Sequence, residues 1–264
     1  MNILQRLATS SLERAARDQL NFPLSELRRC VKLHQSRGML FESQLKQDRI
    51  SFICEIKRAS PSKGLIVQDF PYIQIAKEYE MSGADCISVL TEPEFFLGSD
   101  RYLSDISRQV EIPILRKDFT ICEYQIYQAA FINAHAILLI CSLLDPQKLL
   151  DFLQIADQIG IAAVTETHNE KEVEMALNAG SRIIGVNNRN LTDFSVNLKN
   201  CISLRSIVPK DRIFIAESGI KSRADVEILE EAEVDALLIG EALMVSLDKK
   251  ATLRSLSGVD YDKC

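Results

Sequence analysis

The feature of this sequence that most limits its fold is a rhythm. Eight short apolar runs recur along 264 residues: FICEIK (52–57), CISVLT (86–91), PILRK (113–117), AILLI (136–140), AAVTET (162–167), IIGVNN (183–188), IFIAES (213–218) and ALLIG (236–240). Each is too short for a membrane helix and rich enough in Ile, Val and Leu for a strand buried on both faces of a parallel sheet. Between them lie segments with apolar residues at helical spacing, such as PYIQIAKEYEMSGA, EYQIYQAAFINA, PQKLLDFLQIADQIG, NEKEVEMALNAG and RADVEILEEAEV. Gly83, Gly160 and Gly180 stand where such helices would stop. Eight alternations in a chain of this length predict an α/β fold, a closed (β/α)8 TIM barrel. An open doubly wound sheet is the competitor, but it usually needs fewer strands, and no GxGxxG follows the first run. No Pro/Gly/Ser-rich linker interrupts the chain, so residues 1–264 are expected to form a single barrel domain. Residues 1–48 have a helical pattern and are expected to form an N-terminal extension covering the barrel mouth.

Composition narrows the function. The chain is 47% hydrophobic and 26% charged, with a formal net charge of -6. No general basicity points to nucleic acid or an anionic membrane, although local Lys and Arg can still hold a small anion. No stretch reaches the roughly 18 apolar residues of a membrane span. Seven cysteines (Cys30, Cys54, Cys86, Cys122, Cys141, Cys201 and Cys264) are scattered without a CxxC pair. An odd count and the lack of an export signal suggest a reducing, cytoplasmic location. A monomer is the expected state, with an oligomer left open.

In a barrel, chemistry belongs at the C-terminal ends of the strands. Read at period two, Phe52, Cys54 and Ile56 face one way and Ile53, Glu55 and Lys57 the other. Charges also close the third strand (Arg116-Lys117-Asp118), the fifth (Glu166), the sixth (Asn187-Asn188-Arg189) and the seventh (Glu217-Ser218). So many polar strand ends suggest one shared site. Blander readings exist for each: Glu55 as a neutralising partner of Lys57 or Lys117, Lys117 as a solvated loop lysine, Glu166 as a helix cap near Thr167-His168-Asn169, and Arg189 as the partner of a surface acid. His34, His135 and His168 are too few and too dispersed for a zinc cluster, and no GxSxG nucleophile elbow occurs.

Two loops carry a phosphate signal. Ser218-Gly219-Ile220 follows the seventh strand and Gly240-Glu241-Ala242 the eighth, where phosphate-binding barrels present backbone N–H groups to an anion. Lys57 is the candidate for the missing positive charge, and the Glu241 carboxylate is expected to point away. Pro61, Phe95, Phe96 and Phe119 suggest an apolar wall for a flat ring. The mouth thus reads as a site for a small molecule with an aromatic end, an anionic end and a reactive middle.

FICEIKRASPSKG, ILRKDF, GVNNRNL, IAESGI and LLIGEALM, in this order at strand ends, closely resemble the indole-3-glycerol phosphate synthase family of tryptophan biosynthesis, over about residues 50 to 245. That resemblance implies a lyase that closes the indole ring of 1-(2-carboxyphenylamino)-1-deoxy-D-ribulose 5-phosphate with loss of CO2 and water. It implies Lys117 as general acid, Glu166 in proton transfer during dehydration, and Glu55 and Asn187 as orienting groups. Lys57 resembles a substrate-binding lysine near the phosphate that also assists acid chemistry. Ser60 and Arg189 resemble polar substrate contacts, and Arg189 suits the anthranilate carboxylate. Pro61, Phe96 and Phe119 resemble the aryl wall, Ser218, Gly219, Gly240 and Glu241 the phosphate cradle, and Glu217 a further substrate-site position. The reaction needs no cofactor and no metal, so the expected partner is a phosphorylated small molecule alone. Thr165, Thr167 and Asn190 depart from the family pattern and are expected to tune the surroundings of Glu166 and Arg189. The rivals are another phosphate-binding barrel of the same pathway, phosphoribosylanthranilate isomerase-like, which would call for a Cys/Asp acid–base pair, and a catalytically silent phosphate-binding barrel.

Overall fold

The computed structural model describes residues 3–31, 36–190 and 194–258. His34 and Cys264 lie outside the described residues. Three helices come first, α1 (Ile3–Asn21), α2 (Leu24–Cys30) and α3 (Ser36–Leu45). Eight barrel strands follow: β1 (Ser51–Ile56), β2 (Cys86–Leu90), β3 (Ile114–Lys117), β4 (Ala136–Ile140), β5 (Ala162–Thr167), β6 (Ile183–Asn187), β7 (Ile213–Glu217) and β8 (Ala236–Ile239). The helices that alternate with them are α4 (Tyr72–Met81), α5 (Asp100–Ile106), α6 (Glu123–Phe131), α7 (Pro146–Ile159), α8 (Glu170–Asn178), α9 (Leu198–Arg205) and α10 (Arg223–Glu231), closed by α11 (Glu241–Met244) and α12 (Lys249–Ser257).

Every expected strand forms, within one or two residues of its apolar run. All pair in parallel with their sequence neighbours, and β1 pairs with both β2 and β8 to close the barrel. Side-chain alternation divides the apolar residues into two clusters. Phe52, Cys54 and Ile56 face the helices with Ile87, Val89, Phe214 and Leu237. Ile53, Cys86, Leu115, Ala136, Val164, Ile183, Ile215 and Ala236 fill the interior. Removing so much branched apolar surface from water is the main drive for closure, at roughly 25 cal/mol per Å².

Of the first 48 residues, expected as one cover for the mouth, helices α1 and α3 go to opposite ends of the barrel. Helix α3 plugs the N-terminal end, where Phe41 and Leu45 join the interior cluster. It approaches so closely that Gly38 donates its N–H to Gly160 O at 2.9 Å, and a Cβ on Gly38 would stand 2.7 Å from Ala162 N. Helix α1 instead lies over the C-terminal end. Its Ser11 donates to Phe119 O at 2.7 Å, and Arg14 reaches the buried Asp118 at 2.7 and 2.8 Å. Among the described residues no helix is long and apolar enough to cross a membrane.

Candidate active site at the barrel mouth

The C-terminal turn of each strand sets the site. On β1, β3, β5 and β7 the interior residues Ile53, Leu115, Val164 and Ile215 are followed two positions later by Glu55, Lys117, Glu166 and Glu217. Register places Glu166 beside Gly185 on β6 and Ile140 on β4, and Glu217 beside Asn187 on β6 and Leu238 on β8. The result is a ring of charge on an apolar floor. Lys117 Nζ lies 3.1 Å from Glu166 Oε2 and 3.1 Å from Glu217 Oε2. Asn187 donates to Glu166 Oε1 at 3.2 Å, and Lys57 pairs with Glu55 at 2.5 Å. Two absent side chains make room. A Cβ on Gly185 would sit 2.5 Å from Glu217 Oε1, and one on Gly240 2.5 Å from Glu55 Oε1.

Burial sets the charges against one another. Desolvation alone would lower the Lys117 pKa, but Glu166, then Glu217 and Glu55, more than reverse this and hold the ammonium above its ordinary value. Burial likewise works to raise Glu166, yet Lys117 and His168 hold it well below the usual carboxylate range. Glu217 goes the other way. Burial pushes it up to about 7, against the pull of Lys117 and with the help of Glu166. Its Oε1 is buried without a protein hydrogen-bond partner, which works against the ionised form.

A cavity of about 410 Å³ opens above this ring. Ser60, Pro61, Phe96, Phe119, Arg189 and the Ser218–Gly219 and Gly240–Glu241 turns all line it, together with every member of the ring. Phe96 and Phe119 stand 6.1 Å apart and tilted, forming one wall. Ser218 (φ 66°) and Gly219 (φ 89°) both occupy the left-handed region, which turns the chain sharply after β7. Gly240 precedes α11, so the first N–H groups of that short helix open toward the same end. The Glu241 carboxylate, expected to turn away, bridges Lys63 at 3.0 Å and Arg189 at 3.9 Å.

Several blander readings fall away. Glu166 caps nothing: Asn169 caps α8, and Glu172 takes the N–H of His168. Lys117 ends β3 with a largely covered side chain and so is no loop lysine. The Glu55–Lys57 pair does form. Arg116 and Asp118, neighbours of Lys117, face outward or upward. Arg116 is spent on Asp100, Thr91 and the Gln125 carbonyl, and Asp118 on Arg14 and Thr91. Thr165 and Thr167 project away from the cavity, to Ser181 Oγ at 2.9 Å and Gly185 O at 3.1 Å. Ile3, Leu4 and Leu7 of α1, and Lys63 and Lys221 of the loops, line the cavity without having been anticipated. Their signal was weak, since only the closed barrel brings them there. His168 was also passed over, and its Nε2 lies 3.3 Å from Glu166 Oε1. No group of three or more His, Cys, Asp or Glu suited to a metal ion occurs among the described residues.

The sequence model of one family, indole-3-glycerol phosphate synthase, matches residues 4–256. The chain is 55% identical over 227 residues to the indole-3-glycerol phosphate synthase of Ruminiclostridium cellulolyticum, covering 86% of this chain and 87% of that one. Over 255 residues it is 48% identical to that of Endomicrobium trichonymphae, covering 96% and 99%. Among solved structures, 3-hexulose-6-phosphate synthase from Salmonella typhimurium superposes with a TM-score of 0.65 at 12% identity, covering 79% of this chain and 97% of that chain. A thiamine phosphate pyrophosphorylase from Pyrococcus furiosus gives 0.59 at 15% identity, covering 83% and 96%. At such identities the likeness is one of fold alone.

Proposed function

This chain belongs to the indole-3-glycerol phosphate synthase family, and from that premise we propose how its side chains divide the work. The enzyme is a carboxy-lyase of tryptophan biosynthesis. It converts 1-(2-carboxyphenylamino)-1-deoxy-D-ribulose 5-phosphate to indole-3-glycerol phosphate, CO2 and water. In our reading Lys117 is the general acid. The ring carbon that bears the carboxylate attacks the ribulose C2 carbonyl, and Lys117 protonates the oxygen as the bond forms. Its firmly held proton passes only to a strong base, which that oxygen becomes once attack is under way, so transfer is coupled to ring closure. CO2 then leaves from the same ring carbon, and its bonding electrons restore aromaticity. Dehydration removes the C2 hydroxyl with an added proton and takes a proton from C1. Glu166 and Lys117 serve these two transfers.

The remaining residues bind and align. Pro61, Phe96 and Phe119 hold the aryl ring, and Arg189 with Ser60 faces its carboxylate. The backbone of Ser218, Gly219, Gly240 and Glu241, with Lys57 nearby, takes the phosphate. Glu55, Asn187 and Glu217 orient the sugar hydroxyls and the catalytic lysine. Fixing both ends of a flexible substrate brings the reacting carbons together, an entropic gain that can reach several kcal/mol. The observation that carries the reading is the position of Lys117 Nζ, 3.1 Å from two carboxylates on a buried floor. A silent phosphate-binding barrel has no use for such an arrangement, whose desolvation is costly.

The test is a fluorescence assay for indole-3-glycerol phosphate without added metal, comparing wild type with Lys117→Ala. Turnover should fall by roughly 10²–10⁴ in a folded variant. Undiminished turnover would move the acid role to Lys57. No product from wild type, with tight binding of the phosphate ester, would favour the silent barrel. We also infer a monomer working in the cytoplasm. The cavity is walled by the chain's own strands and loops with α1 across it, so the site is formed within a single barrel, and the six described cysteines are free thiols. Light scattering that gives the mass of a dimer would overturn the first of these.

A further inference from the structure

His168 is a charged group directly behind Glu166 that the mechanism above leaves idle. It follows β5 directly, and α8 folds back over it. One oxygen of Glu172, Oε2, accepts from both the His168 backbone N–H at 2.9 Å and Nδ1 at 3.0 Å. The other oxygen accepts from the Asn169 amide at 2.9 Å, while Asn169 receives the Glu172 N–H at 3.1 Å. A carboxylate acceptor fixes a proton on Nδ1 and locks the ring orientation. The opposite nitrogen, Nε2, is buried and faces Glu166 Oε1 at 3.3 Å.

We propose that His168 is a positioning residue for ring closure and dehydration: clamped by Glu172, it supplies the second cation beside Glu166 and keeps that carboxylate ionised and in place when Lys117 gives up its proton. The proposal rests on the roles given above to Lys117 and Glu166. With Lys117 neutral, Glu55, Glu166 and Glu217 would share a buried ring that has lost its central charge. Like charges so placed drive protons onto carboxylates. The groups around His168 are Glu166 of β5, Glu172 of α8, the amide of Asn200 of α9 on its carbonyl, and Cys141, whose Sγ contacts Glu172 O at 3.6 Å. Lys117 and Asn187 lie across Glu166. Although burial works to lower it, Glu166 and Glu172 raise the His168 imidazolium to about 10, so the ring keeps its charge at neutral pH. A capping role alone does not account for the arrangement. Asn169 and Glu172 cap the helix without any ring directed at Glu166.

The experiment compares His168→Gln, Glu172→Gln and Glu166→Gln in steady-state kinetics across pH, with thermal melts alongside. His168→Gln should lower kcat on the order of tenfold with KM within about twofold. It should also move the acid limb of kcat up by about one pH unit, because Glu166 loses a neighbouring positive charge. Glu172→Gln should move the limb the same way by less. Nitrogen NMR of the wild-type enzyme, assigned by triple resonance, should find His168 doubly protonated at pH 8, and this reading survives even if a variant folds poorly. A neutral His168 at pH 7 overturns the proposal, as does a wild-type pH profile in His168→Gln. Wild-type turnover in Glu166→Gln would instead sink the role given to Glu166, and the proposal with it. Loss of activity in Glu166→Gln beside a wild-type His168→Gln sinks the proposal alone.

Discussion

Two of the side-chain layers in the barrel interior come from the same four strands, offset by two residues. The lower holds Ile53, Leu115, Val164 and Ile215, and the upper Glu55, Lys117, Glu166 and Glu217. Burial barely separates them: the lower four are 0% exposed, and the three upper carboxylates 2–4%. What differs is the sign of burial's effect. In the lower layer each side chain gains by leaving water, independently of its neighbours. In the upper layer each charge loses by leaving water and is offset only by the others. The lower layer should therefore fail one residue at a time, and the upper as a set.

The largest contrast comes from paired substitutions on one strand. Val164→Ala or Ile215→Ala should cost about 2–4 kcal/mol of stability, read by urea unfolding, with kcat per folded molecule little changed. Glu166→Gln, two residues above Val164, should strike turnover first. Turnover should fall by roughly 10²–10⁴, and the midpoint at neutral pH should fall as well, because Lys117 and His168 lose the buried charge that offsets their own. If Val164→Ala proved as harmful to kcat as Glu166→Gln, the division between layers would be wrong.

A second contrast lies inside the upper layer. The Glu166 pKa is held below the ordinary 4.5, so its contribution to stability is fully present above that value and is lost as pH falls through the folded pKa. Glu217 is raised to about 7, so the folded state binds more protons than the unfolded between pH 4.5 and about 7. Stability should therefore decline as pH rises through that window, by roughly 3 kcal/mol. Glu217→Gln should flatten the decline. Urea midpoints at half-unit pH steps would show it, and an unchanged slope in the variant would remove Glu217 as its source.

Much of this was legible in the sequence, for one reason: alternation at period two is imposed by the backbone itself. It marked eight strands, and it put Glu55 and Lys57 on the interior face of the first. It also contained His168, two residues beyond Glu166 and so on the same side, with Glu172 four residues further. A count of histidines for a metal overlooked this. Other features had no local signal. Helical spacing in residues 36–45 shows an apolar face but not which end of a barrel it plugs. The hairpin of Ala59–Ser60 with Gly64–Leu65 is too short for any period. The Glu241 bridge to Lys63 and Arg189 depends on loops that only closure brings together.

The smallest expected effect tests the outer face of the same strand. Thr165 alternates with Glu166, and its hydroxyl meets Ser181 Oγ at 2.9 Å on the side away from the cavity. Both residues are fully buried. Thr165→Val should leave the Ser181 hydroxyl without that partner and cost about 1 kcal/mol, whereas Thr165→Val with Ser181→Ala removes both polar ends and should recover part of the loss. Turnover should stay within about twofold in either variant, since neither side chain reaches Glu166 or its partners. Thr165 then serves packing at the strand–helix interface rather than the chemistry. A tenfold fall in kcat without a shift in the unfolding midpoint would mean that the outer face sets the position of Glu166 through the β5 backbone. The two faces of the strand would then have to be treated as one unit.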